Sequence, residues 1–327
     1  MSRAPLYPLK FKPIYKDKIW GGQKLSQFLN KESSELDNCG ESWELSGVEG
    51  DISIVAEGPL KGETLTQLIT TYHGELLGES VFHQFGTAFP LLIKFIDAAQ
   101  DLSIQVHPDD VMARKRHDSF GKTEMWYVVQ ADAGASLISG FNKQTSKEEY
   151  LNYFNAGNLK ALLNKEQVVA DDVFFLPAGR VHTIGQGLVI AEIQQTSDIT
   201  YRIYDFDRVD KNGKKRDLHV EEALDAIDFN YYKDYKTQYD HTKTRVTLVK
   251  NKYFQTDRLI IQDSITRNYE AKDSFVVFMF LEGMGEIYFN QGRIAYKKGE
   301  TLLIPSSIKN LIIKASSATK MLEVSIP

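Results

Sequence analysis

The stretch Ser103-Ile-Gln-Val-His-Pro-Asp109 decides the fold that this sequence predicts. Gln105 and His107 are two residues apart in the apolar run, and alternate residues of a β-strand point to the same face. Pro108 ends the strand because it has no N–H to donate to a neighbouring strand. The stretch therefore predicts a strand that presents an amide oxygen and an imidazole side by side.

Two further segments complete a candidate metal site. Residues 121–129 are predicted to form the partner strand of this stretch, and they contain a lone carboxylate, Glu124. Residues 174–182 indicate a strand, a turn and a second histidine, His182. Two histidines and one glutamate on strands of an all-β core are a ligand set typical of a metal site.

Composition restricts the class of protein. The chain has 327 residues, 42% of them hydrophobic, which favours two domains with large cores. Its net charge of −5 argues against a nucleic-acid partner. The single cysteine, Cys39, excludes internal disulfides, and the longest apolar run, residues 275–281, is too short for a membrane span. With no signal-peptide pattern in residues 1–10, we expect a soluble, cytoplasmic protein without a membrane partner.

Helices are predicted as short inserts. Apolar residues recur with a helical period within residues 62–85, and residues 144–163 combine an apolar stripe with a capping pair, Ser146 and Glu149. Residues 112–120 are polar and basic, and they are predicted to be a loop. Lys94 lies in an apolar strand, where it either extends to the surface or points into a polar cavity.

A degenerate internal repeat indicates how the chain is built. Residues 126–134 resemble residues 278–285, and residues 172–177 resemble residues 300–305. Each set is a predicted hairpin followed by a strand that ends in proline. The sequence therefore predicts a mainly β fold with two β-barrels, or jelly rolls, of the same kind and with short helical inserts.

The second copy of the repeat lacks the candidate ligands. Val276 stands where the repeat places Glu124, and Asn310 stands where it places His182. We therefore predict a catalytic domain at residues 1–240, which includes both helical inserts, and a metal-free, structural barrel at residues 241–327.

Five segments, in this order, resemble the cupin superfamily and, more closely, the type I mannose-6-phosphate isomerases (phosphomannose isomerases): Ile19-Trp-Gly-Gly22, Ser103-Ile-Gln-Val-His-Pro-Asp109, Gly121-Lys-Thr-Glu124, Pro177-Ala-Gly-Arg-Val-His182 and Ala191-Glu-Ile-Gln-Gln-Thr-Ser-Asp-Ile-Thr-Tyr-Arg202. The chain is similar to the compact bacterial form, since it has no room for a large extra helical domain. The resemblance implies one zinc per chain, a phosphorylated sugar as substrate, and a catalytic arginine at Arg202. The zinc ligands that it implies are Gln105, His107, Glu124 and His182.

An aldose–ketose isomerase moves a proton between C1 and C2 through an enediol. Two neutral histidines, one glutamate and a neutral glutamine around Zn²⁺ leave a formal charge of about +1, which suits developing enediolate oxygens. Glu192 is a candidate proton shuttle with a raised pKa if it points into an apolar barrel. It is otherwise an ion-pair partner of Arg202 or Lys94, and Lys122 and Asp198 are rival candidates.

The remaining expected contacts concern the sugar phosphate. Arg202 can hold phosphate with two hydrogen bonds or stabilise the enediolate. Lys94, Ser103 and Lys122 are candidates for the phosphate pocket, and Trp20 is either one wall of the site or a packed residue at a turn. Two other functions fit the same residues: a non-haem Fe(II) cupin oxygenase, and a sugar-phosphate-binding cupin without catalytic activity.

Overall fold

The fold is mainly β. A computed structural model describes residues 3–33, 35–210 and 212–327. Within these residues the strands of the first part of the chain are β1 (Leu9–Lys10), β2 (Ile14–Gly22), β3 (Cys39–Leu45), β4 (Leu91–Ala98), β5 (Ile104–Val106), β6 (Glu124–Ala131), β7 (Ser136–Phe141), β8 (Leu163–Gln167), β9 (Val173–Leu176), β10 (His182–Ile184), β11 (Leu188–Gln195) and β12 (Tyr201–Tyr204). Those of the last part are β13 (Arg245–Lys250), β14 (Gln255–Ile261), β15 (Ser264–Asn268), β16 (Val276–Glu282), β17 (Met284–Phe289), β18 (Gly292–Lys297), β19 (Thr301–Ile304), β20 (Asn310–Ala315) and β21 (Thr319–Ser325).

The helices are short. They are α1 (Lys24–Gln27), α2 (Leu65–Tyr72), α3 (Gly74–Leu77), α4 (Glu79–Phe85), α5 (Asp110–His117), α6 (Lys147–Asn155) and α7 (Val220–Ala226), with a 3₁₀ turn at Leu159–Leu162. Helices therefore lie in both segments that the sequence predicts to be helical. None of the helices described has the length and apolar character that crossing a membrane requires.

Helix α5 contradicts the predicted loop at residues 112–120. Its N-cap, Asp109, accepts a hydrogen bond from the backbone N–H of Met112 at 2.8 Å. Four basic residues occupy its last turn, where they interact favourably with the helix dipole. The sequence shows no helical period because Ala113 is the only residue that this solvent-exposed helix buries.

The strands form two pairs of antiparallel sheets. The first pair has the strand orders β2-β3-β4-β11-β6-β9 and β12-β5-β10-β7-β8. The second pair has the orders β1-β19-β16-β21-β14-β13 and β15-β20-β17-β18. The predicted architecture of two cupin-type barrels with short helical inserts is confirmed. The predicted pairing of the Gln105 strand with the Glu124 strand is wrong, because β5 and β6 belong to opposite sheets.

The two parts of the chain share one apolar core. Phe89 and Phe275 pack with ring centroids 4.8 Å apart, and both belong to a continuous buried cluster that also contains Phe95 and Val324. Strand β1 pairs with β19, which ties the N-terminal segment to the last part of the chain. Burial of this apolar surface is the main force that holds the two parts together. The domain boundary at 240/241 stays a prediction.

The internal repeat extends to the register of the strands. Glu124 opens β6 opposite Leu176, and Val276 opens β16 opposite Ile304. Both copies therefore place the residue compared with Glu124 at the same corner of the barrel, next to the proline that ends the neighbouring strand.

His182 and Asn310, the second pair of residues compared in the repeat, also occupy corresponding positions in their sheets. His182 opens β10 opposite Gln105, and Asn310 opens β20 opposite Asn268. The positions of both histidine and glutamine in the first barrel are thus filled by asparagine in the second.

Candidate active site

Three buried side chains converge between the two sheets of the first barrel. The Nε2 atoms of His107 and His182 lie 3.5 Å from Glu124 Oε2 and 3.3 Å from Glu124 Oε1, respectively. Among the residues described, they are the one group of His, Cys, Asp and Glu side chains whose ligand atoms all lie within 4.8 Å of one another. The histidines and the glutamate that the sequence predicts as ligands are therefore brought together.

Backbone carbonyls fix the tautomer of both rings. His107 Nδ1 lies 2.9 Å from the carbonyl oxygen of Ile199, and His182 Nδ1 lies 2.8 Å from that of Arg180. A carbonyl oxygen can only accept, so Nδ1 carries the ring proton in each neutral imidazole. Each Nε2 therefore directs its lone pair, and not a proton, at Glu124, which is the arrangement that metal-binding histidines use.

The chemistry of this cluster fits a cation. Neither carboxylate oxygen of Glu124 has a hydrogen-bond partner, and neither has His107 Nε2, although all three atoms are buried. When Glu124 is ionised, its lone pairs and those of the two Nε2 atoms face one another and repel, and unpaired buried polar atoms are costly. A divalent cation held by His107, Glu124 and His182 would satisfy all three side chains.

Burial perturbs the pKa values of the cluster. Burial, reinforced by the nearby charge of Glu192, raises the pKa of Glu124 to about 8 in the metal-free protein. Burial also lowers the pKa of His182 to about 4 and that of His107 well below its usual range. Both histidines are therefore neutral at physiological pH, as metal ligands must be.

Gln105 lies beside the cluster. Its Nε2 is 3.3 Å from His182 Nε2, and its Oε1 accepts a hydrogen bond of 3.3 Å from Ser103 Oγ. A half-turn of the amide would direct the oxygen at the cluster and leave the nitrogen to donate to Ser103. The fourth ligand that the family resemblance implies is therefore within reach of the site.

Backbone hydrogen bonds link the three segments that carry the cluster. Gly179 N donates to His107 O at 2.9 Å, and Lys122 N donates to Pro108 O at 3.1 Å. Ala178 N donates to Thr123 Oγ1 at 3.4 Å. The turn before His182, the end of the His107 segment and the start of the Glu124 strand thus form one connected frame.

A cavity of about 380 Å³ adjoins the cluster. All the other residues that the sequence proposes for the site lie on its wall: Trp20, Lys94, Ser103, Gln105, Lys122, Glu192, Asp198 and Arg202. Trp20 is buried at the end of β2, and Asp198 is exposed at the rim. The volume suits a small polar ligand such as a monosaccharide phosphate.

Lys94 points into this cavity and forms the centre of a buried ion-pair network. Its Nζ lies 3.2 Å from Glu192 Oε1 and 3.9 Å from Glu41 Oε2. Burial opposes the charge of Lys94, but the two carboxylates outweigh it and raise the pKa of the ammonium group. Burial also opposes the charge of Glu41. The charges of Lys94 and Lys18 outweigh burial and lower the pKa of Glu41 to about 2.

The expectation of a raised pKa for Glu192 is wrong. Burial acts to raise this pKa, but the positive charges of Lys94 and Lys122 outweigh burial and lower it. Trp126 Nε1 also donates to Glu192 Oε2 at 2.9 Å, which stabilises the carboxylate. Glu192 faces a polar cavity and pairs with Lys94, one of the alternative partners considered from the sequence.

Arg202 lies on β12, directly opposite Gln105 in the neighbouring strand. Its Nη1 donates to the carbonyl oxygen of Asp217 at 2.8 Å, and its buried Nε has no hydrogen-bond partner. Each of the other Lys and Arg side chains on the cavity wall has a carboxylate within 4.0 Å, whereas the described residues offer none to Arg202. Its charge is therefore available to an anionic ligand.

Several residues that line the cavity are not among those predicted from the sequence: Lys16, Lys18, Glu41, Trp43 and Arg216. Glu41 and Trp43 are two apart on β3 and share a face, which is the same signal that identified Gln105 and His107. With these residues the wall has six Lys or Arg side chains against four Asp or Glu side chains. The excess of positive charge favours a phosphate-bearing ligand.

Comparisons with known proteins identify the family of this chain. Residues 8–129 match the family model "Phosphomannose isomerase type I, catalytic domain", and residues 244–321 match "Mannose-6-phosphate isomerase, cupin domain". The chain is 36% identical over 305 residues to the mannose-6-phosphate isomerase of Streptococcus mutans, with 93% of this chain and 94% of that protein covered. It is also 36% identical over 303 residues to mannose-6-phosphate isomerase ManA of Bacillus subtilis, with 91% and 93% covered.

Solved structures show the same fold. A crystal structure of the mannose 6-phosphate isomerase from Bacillus subtilis superposes with a TM-score of 0.85 at 33% identity, covering 97% of this chain and 99% of that one. At 20% identity, a solved structure from Archaeoglobus fulgidus superposes with a TM-score of 0.80 and covers 98% of each chain. The latter likeness concerns the fold alone.

Proposed function

This chain belongs to the type I phosphomannose isomerase family, and from that premise we propose how it interconverts mannose 6-phosphate and fructose 6-phosphate. The observation that supports the proposal most strongly is the convergence of three buried ligand groups, from His107, Glu124 and His182, beside a cationic cavity, with His107 Nε2 and both Glu124 oxygens lacking a hydrogen-bond partner. We assign one zinc ion to this cluster, with Gln105 as a weaker fourth ligand. When bound, zinc gives the site, with the Glu124 carboxylate, a net charge of about +1 that favours negative charge on the sugar oxygens.

Glu192 is the residue that we propose as the base for the carbon-bound proton. The base must be ionised before the reaction, and the lowered pKa of Glu192 keeps its carboxylate charged at neutral pH. It is also buried on the cavity wall, where bulk water does not compete for the proton. Asp198, one of its rivals, is exposed at the rim and is less protected from solvent.

Lys122 is proposed to act beside the metal ligands. Its Nζ lies 3.5 Å from Glu124 Oε2 and faces the cavity, so a sugar oxygen near the metal site would be within reach of the ammonium group. An ammonium group can donate a hydrogen bond to an oxygen that gains negative charge as the enediolate forms. Lys122 and Glu192 would then work as donor and acceptor on the same substrate.

Arg202 and the rim of the cavity are proposed to bind the anionic part of the substrate. Arg202 is the cavity cation without a carboxylate partner in the described chain, and a guanidinium group can form two parallel hydrogen bonds with phosphate. Lys94 is less suited to hold phosphate because Glu41 and Glu192 already neutralise it. We further propose a cytoplasmic location, which the single, unpaired Cys39 favours.

A direct assay tests this proposal against the two alternatives. The purified protein is incubated with mannose 6-phosphate, and fructose 6-phosphate is measured with a coupled dehydrogenase, in air and without oxygen. We expect equal rates in both atmospheres. Product that requires oxygen would indicate an Fe(II) oxygenase, and binding of mannose 6-phosphate without product would indicate a non-catalytic cupin.

Two substitutions, compared with each other, test the assignment of Glu192 as the base. Glu192→Gln should lower kcat by roughly 10²-fold or more, as expected for loss of general base catalysis, while Asp198→Asn should change it little. The reverse order of effects would move the role to Asp198.

A further inference from the structure

The second barrel makes a hydrogen-bonded contact with the active-site frame of the first. Tyr253 lies in the hairpin that joins β13 to β14, and Asn251 Oδ1 holds its backbone N–H at 2.7 Å. The next residue, Phe254, is fully buried in the shared apolar core and anchors the hairpin. The hydroxyl of Tyr253 donates to Asp110 Oδ2, at the start of α5.

Asp110 links Tyr253 by hydrogen bonds to the segment that contains Lys122. Its other oxygen, Oδ1, accepts from the backbone N–H of Gly121 at 3.1 Å and from Gln195 Nε2 at 2.9 Å. Gln195 Oε1 in turn accepts from the backbone N–H of Thr123 at 2.9 Å. The residues immediately before and after Lys122 are therefore both held by the network that begins at Tyr253.

The close approach of this segment to α5 requires glycine at position 121. A Cβ atom on Gly121 would lie 2.6 Å from Asp110 N and 2.7 Å from Asp109 C, which real structures do not tolerate. Gln195 is buried, so the hydrogen bonds that it makes are protected from competing water. The segment is thus built for tight contact with Asp110.

We propose that Tyr253 is a positioning residue for the isomerase reaction, through which the second barrel fixes the backbone around Lys122. This inference rests on the proposed function, in which Lys122 donates to a substrate oxygen. Tyr253 is not among the residues that line the cavity, and its effect passes through Asp110 and Gln195. The hairpin therefore gives the second barrel a role in catalysis in addition to burial of apolar surface.

The test begins with Tyr253→Phe, which removes only the hydroxyl group. We expect kcat to fall about tenfold, less than the ~100-fold that a 1 Å displacement can cause, because Asp110 still binds Gly121 and Gln195. KM should change little, since Arg202 lies outside the network. Zinc content should also stay unchanged, because Glu124 remains fixed between Leu176 and Gln194 in its sheet.

The decisive measurement is a double-mutant cycle. If Tyr253 acts through Lys122, adding Tyr253→Phe to Lys122→Ala should lower kcat by less than about twofold, since the side chain that it positions is already gone. An equal, tenfold fall in both backgrounds would show that the hydroxyl acts elsewhere and would overturn the proposal. Unchanged kcat in Tyr253→Phe alone would overturn it as well.

Two further variants separate positioning from general loss of stability. Tyr288→Phe removes a comparable bond from a tyrosine hydroxyl to a carboxylate, Glu286 Oε2 at 2.6 Å, in the second barrel, and kcat should not change. Asp110→Ala removes the whole relay, so kcat should fall further than in Tyr253→Phe, and adding Tyr253→Phe should then have no effect. Failure of the proposed function is distinguishable, because the unmodified protein would then lack isomerase activity.

Discussion

Replacing Arg202 with alanine removes the one cavity cation that lacks a carboxylate partner in the described residues. In the native protein the guanidinium group is held by the carbonyl oxygen of Asp217 at 2.8 Å, while its buried Nε has no partner. The substitution therefore leaves no buried carboxylate unpaired, and the fold should be little affected. Zinc should remain bound, because Arg202 is not a ligand.

The expected size of the effect follows from this geometry. A charged donor aimed at developing negative charge in a buried site typically contributes 10²- to 10³-fold to kcat, or about 2.7–4 kcal/mol. If Arg202 stabilises the enediolate, kcat and kcat/KM should both fall by at least about 10²-fold. If it only holds the phosphate, KM should rise and kcat should change little.

Steady-state kinetics with mannose 6-phosphate decide between these roles. Arg202→Lys adds a further distinction, because lysine restores a point charge but not two parallel hydrogen bonds. Arg114→Ala is a suitable control, since Arg114 is exposed, on α5, and pairs with Asp118 away from the cavity. Near-normal kcat and KM in Arg202→Ala would refute the reasoning and make this residue peripheral.

Three further predictions concern protonation, stability and the second barrel. Because burial raises the pKa of Glu124 to about 8, its carboxyl group is mostly protonated at pH 7 without metal, and zinc binding at pH 7 should release close to one proton. Calorimetry in buffers of different ionisation enthalpy measures the number of protons released. Equal release at pH 7 and pH 9 would contradict the prediction. Lys94→Met leaves the buried carboxylate of Glu192 without its ion-pair partner, although Glu41 keeps Lys18 at 3.3 Å. It should lower the free energy of unfolding in urea by roughly 3–5 kcal/mol, against less than about 1 kcal/mol for Lys215→Met at an exposed pair. A chain that ends at Asp240 should aggregate, because the shared core would be exposed; a soluble, active product would disprove the structural role of the second barrel.

The sequence predicts the metal cluster well because each ligand belongs to a short local pattern. His107 and His182 stand next to a strand end and a proline turn, where residue type and spacing decide the local structure. The repeat adds a comparison within the chain, since Val276 and Asn310 fill the positions of Glu124 and His182. The strand registers confirm that these positions correspond.

Pairing between distant segments was harder to predict. Residues 121–129 were predicted to pair with the Gln105 strand, but the two strands face each other across the barrel. Glu41 and Trp43 reach the cavity because β3 pairs with β4, which places Trp43 opposite Lys94. A period of two residues shows that two side chains share a face, but it does not show which strand lies alongside.

The effects of charge on a pKa and on a helix were also not predicted from the sequence. Glu192 was expected to have a raised pKa because its strand is apolar, yet Lys94 and Lys122 reverse the effect of burial. Helix α5 was missed for a related reason, since its stability comes from an N-cap and basic residues in its last turn rather than from an apolar face. The pKa of Glu192 depends on contacts that form only in the folded chain, whereas Asp109 and the basic last turn of α5 are local signals that a search for an apolar period does not detect.

Catalysis is expected to require a metal at the cluster of His107, Glu124 and His182. The metal is first removed with a chelator, and zinc is then added back stepwise while the conversion of mannose 6-phosphate to fructose 6-phosphate is measured. We expect no activity without metal, and a linear rise in rate that ends at one zinc per chain. Full activity in the metal-free protein, or full recovery by His182→Ala with zinc, would contradict this expectation.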